Sequence, residues 1–423
     1  MSEYVLEMSD RLWRGELSVT ESHPVVTNNE LDEVAPGTAF IPAFGSICVF
    51  AVGDELLLVD TGNRFLARRN FERVRGWSTA PVRTVVYTHG HIDHVFGLAP
   101  FEAEAEDRGW APPHVVAHRD LPKRFDRYKL TAGYNGVINA RQFKMGSFEW
   151  PVDYRYPDET YDDLLDLDVG GERFELHHAL GETDDHTWTW VPSRRTLAVG
   201  DMFIWASPNC GNPQKVQRYP REWALALREM AALSPSPELL LPGHGWPIAG
   251  ADRVREALTD TADLLDSLVA QTLALMNEGA RLEEILRTVA PPAELLERPY
   301  LRPIYDEPEF VVRNLWRLYG GWYDGNPANL KPAGEAELAS ELAALAGGAS
   351  KLADRASALA AAGSLRLAGH LAELAALAAP DDPGVHATRA EVFAQRAGTE
   401  LSTMSKGVFS WAAEESKARS GGA

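Results

Sequence analysis

The feature that most limits what this chain can become is residues 84–100, TVVYTHGHIDHVFGLAP. The apolar run at 82–87 reads as a buried strand, and directly after it come His89, His91, Asp93 and His94. Two imidazoles at i and i+2 can converge on one ion from a tight loop. The next aspartate and histidine then point at a second ion beside it. A merely polar surface loop would rarely give H-x-H-x-D-H straight after a buried strand. Neutral imidazole with carboxylate suits zinc best, with manganese or iron as alternatives.

Bulk properties narrow the partners. The 423 residues carry 41 basic and 61 acidic groups, a net charge of −20, which argues against nucleic acid or an anionic membrane as the main partner. Cys48 and Cys210 are too few for a disulfide framework, so a reducing compartment is expected. The opening residues show no basic stretch leading into an apolar core, and no run approaches the ~18 apolar residues of a membrane helix. The expectation is a soluble, cytoplasmic protein.

Two halves read differently. Up to about residue 250, short β-rich runs alternate with loops and a few helices. SICVFAVGDELLLVDTG signals a hairpin around Gly53-Asp54, and VRTVVYT, HVVAH, RFELHHAL, HTWTWVP, RTLAVGD and ELLLPGHG are further strand candidates. Helices fit NRFLARRNFERVRGW, HRDLPKRFDR and PREWALALREMAAL. From residue 251 the β signals stop, and after a Pro-rich bridge the chain turns into Ala/Leu-rich helix pairs. These suit stacked helical hairpins or a plain bundle equally well. The domains expected are 1–250, an α/β unit with the metal motif, and 251–423, an all-α unit.

The H-x-H-x-D-H motif after a strand resembles the signature of the metallo-β-lactamase superfamily. That resemblance implies an αββα sandwich whose metal site is closed by three further regions, here LGETDDHTWTWVP, RTLAVGD and LLLPGHGWPI. The ligands it implies are His89, His91, Asp93, His94, Glu182, bridging Asp201 and His244. Asp60 of LLLVDTG fits as the acceptor that orients the motif loop. One position departs from the common pattern: Glu182 stands where most members have a histidine, and His186 follows four residues later. Either Glu182 is the ligand and His186 lines the pocket, or the reverse; the Gly-x-Thr register favours Glu182.

The glutamate narrows the resemblance to alkyl sulfatases of the metallo-β-lactamase type, which follow the catalytic domain with a helical dimerisation domain. The segments EFVVRNLWRLYGGWYDGNPANL and GSLRLAGHLAELAALAAPDDPGVHATRAEVFAQRAGTELSTMSKGVFSWAA resemble parts of that domain. The implied activity is hydrolysis of small alkyl sulfate esters, with two Zn2+ per chain, metal-bound hydroxide as nucleophile, and pairing into a homodimer through the helices. The resemblance departs in two places: the long members add a sterol-carrier-like domain after the helices, and they carry a glutamate at the bridging position, where this chain has Asp201 as in the wider superfamily. The chain stops at Ala423, right after the helical part, so a smaller ester than a detergent is expected. The same metals acting on a phosphodiester, lactone or thioester form one alternative, and a helical adaptor with a vestigial hydrolase domain forms the other.

Asp93, Asp201 and His186 are the candidate catalytic residues, His186 as the acid for the leaving group. For the anion, NCGNPQKVQRYP offers Asn209 and Arg218, with Lys215 read as a solvated cation. TAGYNGVINARQF offers Tyr134 and Asn135 on a loop over the metals. Trp205 and Trp246, beside candidate ligands, are expected to wall the substrate cleft, while Trp188 and Trp190 are expected in the core.

Overall fold

SICVFAVGDELLLVDTG forms the hairpin that its pattern predicts: Val52 faces Glu55 across Gly53-Asp54. This hairpin is β3–β4 of a seven-stranded sheet whose spatial order follows the chain. The strands are β1 (Asp32–Ala35), β2 (Thr38–Ile41), β3 (Ile47–Val52), β4 (Glu55–Val59), β5 (Val82–Val86), β6 (His114–His118) and β7 (Glu159–Tyr161). A second sheet runs β8 (Leu164–Val169), β9 (Glu172–Ala179), β10 (His186–Val191), β11 (Thr196–Ile204), β12 (Leu239–His244) and β13 (Ile248–Ala249). Pairing is parallel from β4 through β7 and between β11 and β12. Parallel neighbours need a crossover, which explains the helices Ala67–Trp77, Ala99–Arg108, Leu121–Leu130 and Pro220–Ala231 between them.

The computed structural model describes residues 4–24 and 27–421, and these divide into two units. The first holds residues to 132 and 151–321; the second holds 133–150 and the chain from 322. In the first unit the sheets pack face to face, Phe50 meeting Phe174 edge-on at 5.4 Å, with helices outside, an αββα sandwich. β10, β11 and β12 are buried at every residue, as strands covered on both faces must be.

The helix Ala251–Asn277 was expected to open the helical half. Its buried residues Val254, Ala257, Leu258, Leu265 and Leu268 share the core with Trp223 and Leu227, so it belongs to the first unit. Composition changes at residue 250 because strands end there. Packing changes only after Gly321, where the helices stop contributing to that core.

The second unit is helical. Glu335–Ala346, Ala349–Ala361, Leu365–Ala378, Pro383–Thr399 and Thr403–Arg419 pack in succession, and the first two also reach the next helix but one. This is the stacked-hairpin alternative. Asp382 and Ser402 cap their helices by accepting from backbone N–H groups of the first turn. The Gly-Tyr-Asn-Gly stretch at 133–136, read as a loop, lies within a helix, Ala132–Phe143, where Asn135, Ile138, Asn139 and Gln142 are buried at helical spacing. Its two glycines hide that periodicity in the sequence. One close approach explains Gly407: a Cβ there would lie 1.9 Å from the Gln142 carbonyl oxygen. Among the described residues no helix is long and apolar enough to cross a membrane.

Candidate metal centre

The chain delivers its candidate ligands at or just past strand ends. Asp60 follows β4, the histidine loop follows β5, Glu182 follows β9, and His244 ends β12. Asp201 lies inside β11, at an irregularity in its pairing with β12. A Cβ at Gly243 would fall 2.1 Å from Asp201 Oδ1, so only glycine lets the two strands close around that carboxylate.

Two groups of ligand-capable atoms result, each within 4.8 Å: His89, His91, Glu182 and Asp201; and Asp93, His94 and His244. Asp201 stands between them. Its Oδ1 is 3.3 Å from His94 Nε2, and its Oδ2 is 3.3 Å from His244 Nε2 and 3.9 Å from His89 Nε2. His91 Nδ1 lies 2.8 Å from His89 Nε2 and 3.7 Å from Glu182 Oε1. Asp93 Oδ2 lies 3.6 Å from His94 Nε2 and 3.4 Å from His244 Nε2. Among the described residues, His94 Nε2, Glu182 Oε2 and Asp201 Oδ1 are buried without a hydrogen-bond partner. Orphaned inward atoms of both basic and acidic type are what a cation site presents, since a buried polar atom otherwise costs roughly 1–3 kcal/mol. The donor set of imidazole and carboxylate fits a divalent metal.

The electrostatics agree. Burial, then the neighbouring imidazoles, hold His89 well below the usual histidine range. Burial followed by the Arg218 and Arg124 charges does the same to His91. Both are neutral, the form that ligates. At His94 burial pulls down, but Asp201, Asp60 and Asp93 together push it well up. Burial pushes the Glu182 carboxyl up, opposed by Arg218 and reinforced by Asp201. Three carboxylates therefore crowd a space that a cation would neutralise.

Supporting contacts fix the candidate ligands. Asp60, in the left-handed region at φ 61°, accepts from Thr88 N (2.8 Å) and Thr88 Oγ1 (2.7 Å) and lies 2.7 Å from His94 Nδ1. That acceptor keeps the proton on Nδ1 and turns Nε2 to the cluster. Asn209 Nδ2 donates to Glu182 Oε1 at 2.6 Å, and Arg218 Nη1 donates to the same oxygen at 2.5 Å and to the Asn209 carbonyl. So the two residues expected on the anion both grip the Glu182 carboxylate. Arg218 is held in turn by Asn314, whose side chain accepts from its N–H (2.9 Å) and donates to its carbonyl (3.0 Å).

Other expectations change. His186 lies outside both groups. It is fully buried, its Nε2 donates to the Val199 carbonyl (3.0 Å), and its ring stacks behind His89 at 4.9 Å between centroids. Burial lowers its proton affinity, so it is a neutral wall there and not a charged acid. Tyr134 and Asn135 sit on the helix Ala132–Phe143 of the second unit, Tyr134 exposed and Asn135 buried. Trp205 and Trp246 belong to the core like Trp188 and Trp190, the Trp205 indole N–H donating to the Trp246 carbonyl at 2.5 Å. A large aromatic beside a ligand in sequence had suggested a wall; burial in a tightly paired corner explains it instead.

Three residues gain importance. Lys215 is half-buried, and burial together with Arg218 brings it down to about 8 against the pull of Asp93 and Glu182. Tyr305 is held protonated by burial and by Glu182, Asp93 and Asp201, so its phenol shares the field of the ligands. Asp306 is fully buried and accepts from Gly211 N at 2.5 Å and Glu307 N at 2.7 Å, tying the Pro-rich bridge to the Asn209 loop. An aromatic and an acid within a Pro-rich stretch gave no signal in the sequence.

Comparison with known proteins accords with this geometry. Residues 41–244 match the metallo-beta-lactamase superfamily and residues 281–419 match alkyl sulfatase dimerisation. A linear primary-alkylsulfatase of Pseudomonas sp. is 29% identical over 321 residues, 70% of this chain and 60% of that protein. An (R)-specific secondary-alkylsulfatase of Pseudomonas sp. is 27% identical over 337 residues, 74% of this chain and 51% of that protein. The chain thus spans little more than half the length of these relatives. The stereoselective inverting sec-alkylsulfatase Pisa1 from Pseudomonas sp. has the same fold, with TM-score 0.83 and 23% identity over 93% of this chain and 66% of that one. Residues 41–244 thus carry a domain of the metallo-β-lactamase superfamily, and residues 281–419 carry an alkyl sulfatase dimerisation domain.

Proposed function

We propose that this chain is a metal-dependent hydrolase of small alkyl sulfate esters. His89, His91, Glu182 and Asp201 would hold one ion, and Asp93, His94 and His244 would hold a second, with Asp201 standing between the two groups of side chains. The observation that carries the reading is the convergence of these seven side chains around orphaned inward atoms, with Glu182 gripped by Arg218 and Asn209. The matched dimerisation family and the alkylsulfatase relatives support sulfate esters over other esters.

When bound, a pair of divalent ions supplies a nucleophile from water at neutral pH and polarises the group under attack; Zn2+ suits the donors best. The protein's own residues orient and balance. Three carboxylates facing two divalent ions, with the Arg218 guanidinium added, leave the site positive, which suits a monoanionic ester. Lys215 and Tyr305 stand in the same field and offer donors to sulfate oxygens. His186 backs His89 and keeps its ring in place. The helices of the second unit pair two chains into a homodimer, as the family match suggests.

Release of sulfate, phosphate or carboxylic acid from a panel of small esters tests the substrate class. Sulfate released from a short alkyl sulfate, and lost in Asp93→Ala, is the expected result. Turnover of a phosphodiester, lactone or thioester in its place would overturn the sulfatase reading.

A further inference from the structure

The turn after β9 and the histidine loop after β5 come from different sheets, yet their ligands must sit within a few ångströms of each other. Two hydrogen bonds join them. Thr187 N donates to the Thr88 carbonyl at 2.7 Å, and Gly90 N, between the two ligands His89 and His91, donates to Asp185 Oδ2 at 2.9 Å. The other oxygen of Asp185 accepts from Arg124 Nε at 2.6 Å. Arg124 rises from the helix Leu121–Leu130, also pairs with Asp184, and reaches Tyr128 Oη at 3.3 Å. Asp185 is fully buried and Arg124 is 4% exposed. The pair touches no ligand side chain through these bonds. It touches the backbone that carries two ligands, from the turn that carries a third.

We propose that Asp185, charged and aimed by Arg124, is a positioning residue that sets the spacing between His89/His91 and Glu182, and with it the affinity of that one metal position. The proposal rests on the metal-centre reading above. A carboxylate oxygen accepts from a peptide N–H more strongly than a neutral group does, and the Arg124 fork fixes which oxygen faces Gly90. A buried ion pair of this kind defines a position more than it adds stability. The group Asp93, His94 and His244 has its own buried acceptor, Asp60 on His94 Nδ1, and the bonds of Asp185 and Arg124 given above reach none of its members.

The test is metal titration of the chelator-stripped full chain, with Zn2+ affinities from chelator competition and Co2+ absorption as the signature of each position. Asp185→Asn and Asp185→Ala are compared with Glu104→Gln, which breaks the Arg75 ion pair of a distant helix contact and controls for general destabilisation. The expected result is that one of the two ions weakens by about 10- to 100-fold, more for Ala than for Asn. Its Co2+ band changes while the other ion and the Glu104→Gln protein keep the wild-type affinities. If Asp185→Ala does not fold, Asp185→Asn carries the comparison alone. Both ions retained within threefold in Asp185→Asn, or both weakened equally, would overturn the positioning role. A wild-type chain that binds fewer than two ions would overturn the metal-centre reading itself.

Discussion

Asp60→Asn separates the charge of the buried acceptor from every other property of that position. Asparagine matches aspartate in size and tolerates the left-handed backbone found there at φ 61°. Its carbonyl oxygen can still accept from Thr88 N, and the Thr88 hydroxyl can rotate to suit. The bond to His94 Nδ1, 2.7 Å in the structure, has no such remedy. An amide N–H₂ facing the ring forces Nδ1 to accept, so the neutral imidazole carries its proton on Nε2, the atom that faces Asp93 and Asp201. Losing one charge-assisted bond costs about 1.5–3 kcal/mol, which corresponds to roughly 10- to 100-fold in affinity. The expected result is one ion weakened by that factor, on the side of Asp93, His94 and His244. Chelator competition measures the affinity and thermal unfolding of the metal-free protein checks the fold. Retention of both ions within threefold of wild type would refute the tautomer argument.

Other predictions follow from the same arrangement. His89, His91, His118 and His186 all have folded-state proton affinities below the ordinary value, chiefly through burial. As pH falls through about 6.5 the unfolded chain takes up protons that the folded chain does not, so each group removes up to about 1.4 kcal/mol per pH unit. His177 is lowered by burial as well and adds to this loss, while His94, Glu182 and Asp306 run the other way, contributing stability in acid that is lost as pH rises through their raised folded values, and are outnumbered by the lowered histidines. The net expectation is a lower urea midpoint at pH 5.5 than at pH 7.5 for the metal-free chain; an equal or higher midpoint would contradict it. Arg218→Ala leaves Glu182 buried with Asn209 as its one remaining side-chain donor among those described. It should destabilise the metal-free chain by roughly 3 kcal/mol and enlarge the rise in melting temperature on adding Zn2+; an unchanged melting temperature without metal would refute the pairing. Sedimentation of the full chain at micromolar concentration should show a dimer, and a monomer would contradict pairing through the helices.

What the sequence could reveal depended on whether the signal was local. His89, His91, Asp93 and His94 lie in one loop after one strand, and Glu182 and His244 each carry a neighbouring glycine register, so the residues that the structure brings together were legible. The hairpin at Gly53-Asp54 and the Pro-started helix at 220 are likewise local chemistry. Partners brought together across long separations were not. Asp185 reaches Gly90 across 95 residues and Asn314 reaches Arg218 across 96, with no shared periodicity to announce either. Chemistry type also misled: Arg218 and Asn209 suit an anion, and the anion they hold in the structure is Glu182. The acid pair Asp184-Asp185, directly after the Gly-x-Thr turn, was the one available hint of the lock on Gly90.

The central claim is that seven convergent side chains make a two-ion centre that hydrolyses alkyl sulfates. Its most direct measurement is metal content per chain taken with sulfate release from a short alkyl sulfate on the same preparation. The account predicts two divalent ions per chain and sulfate release that disappears, with loss of metal, in Asp93→Ala. Fewer than one ion per chain and no sulfate released would contradict it.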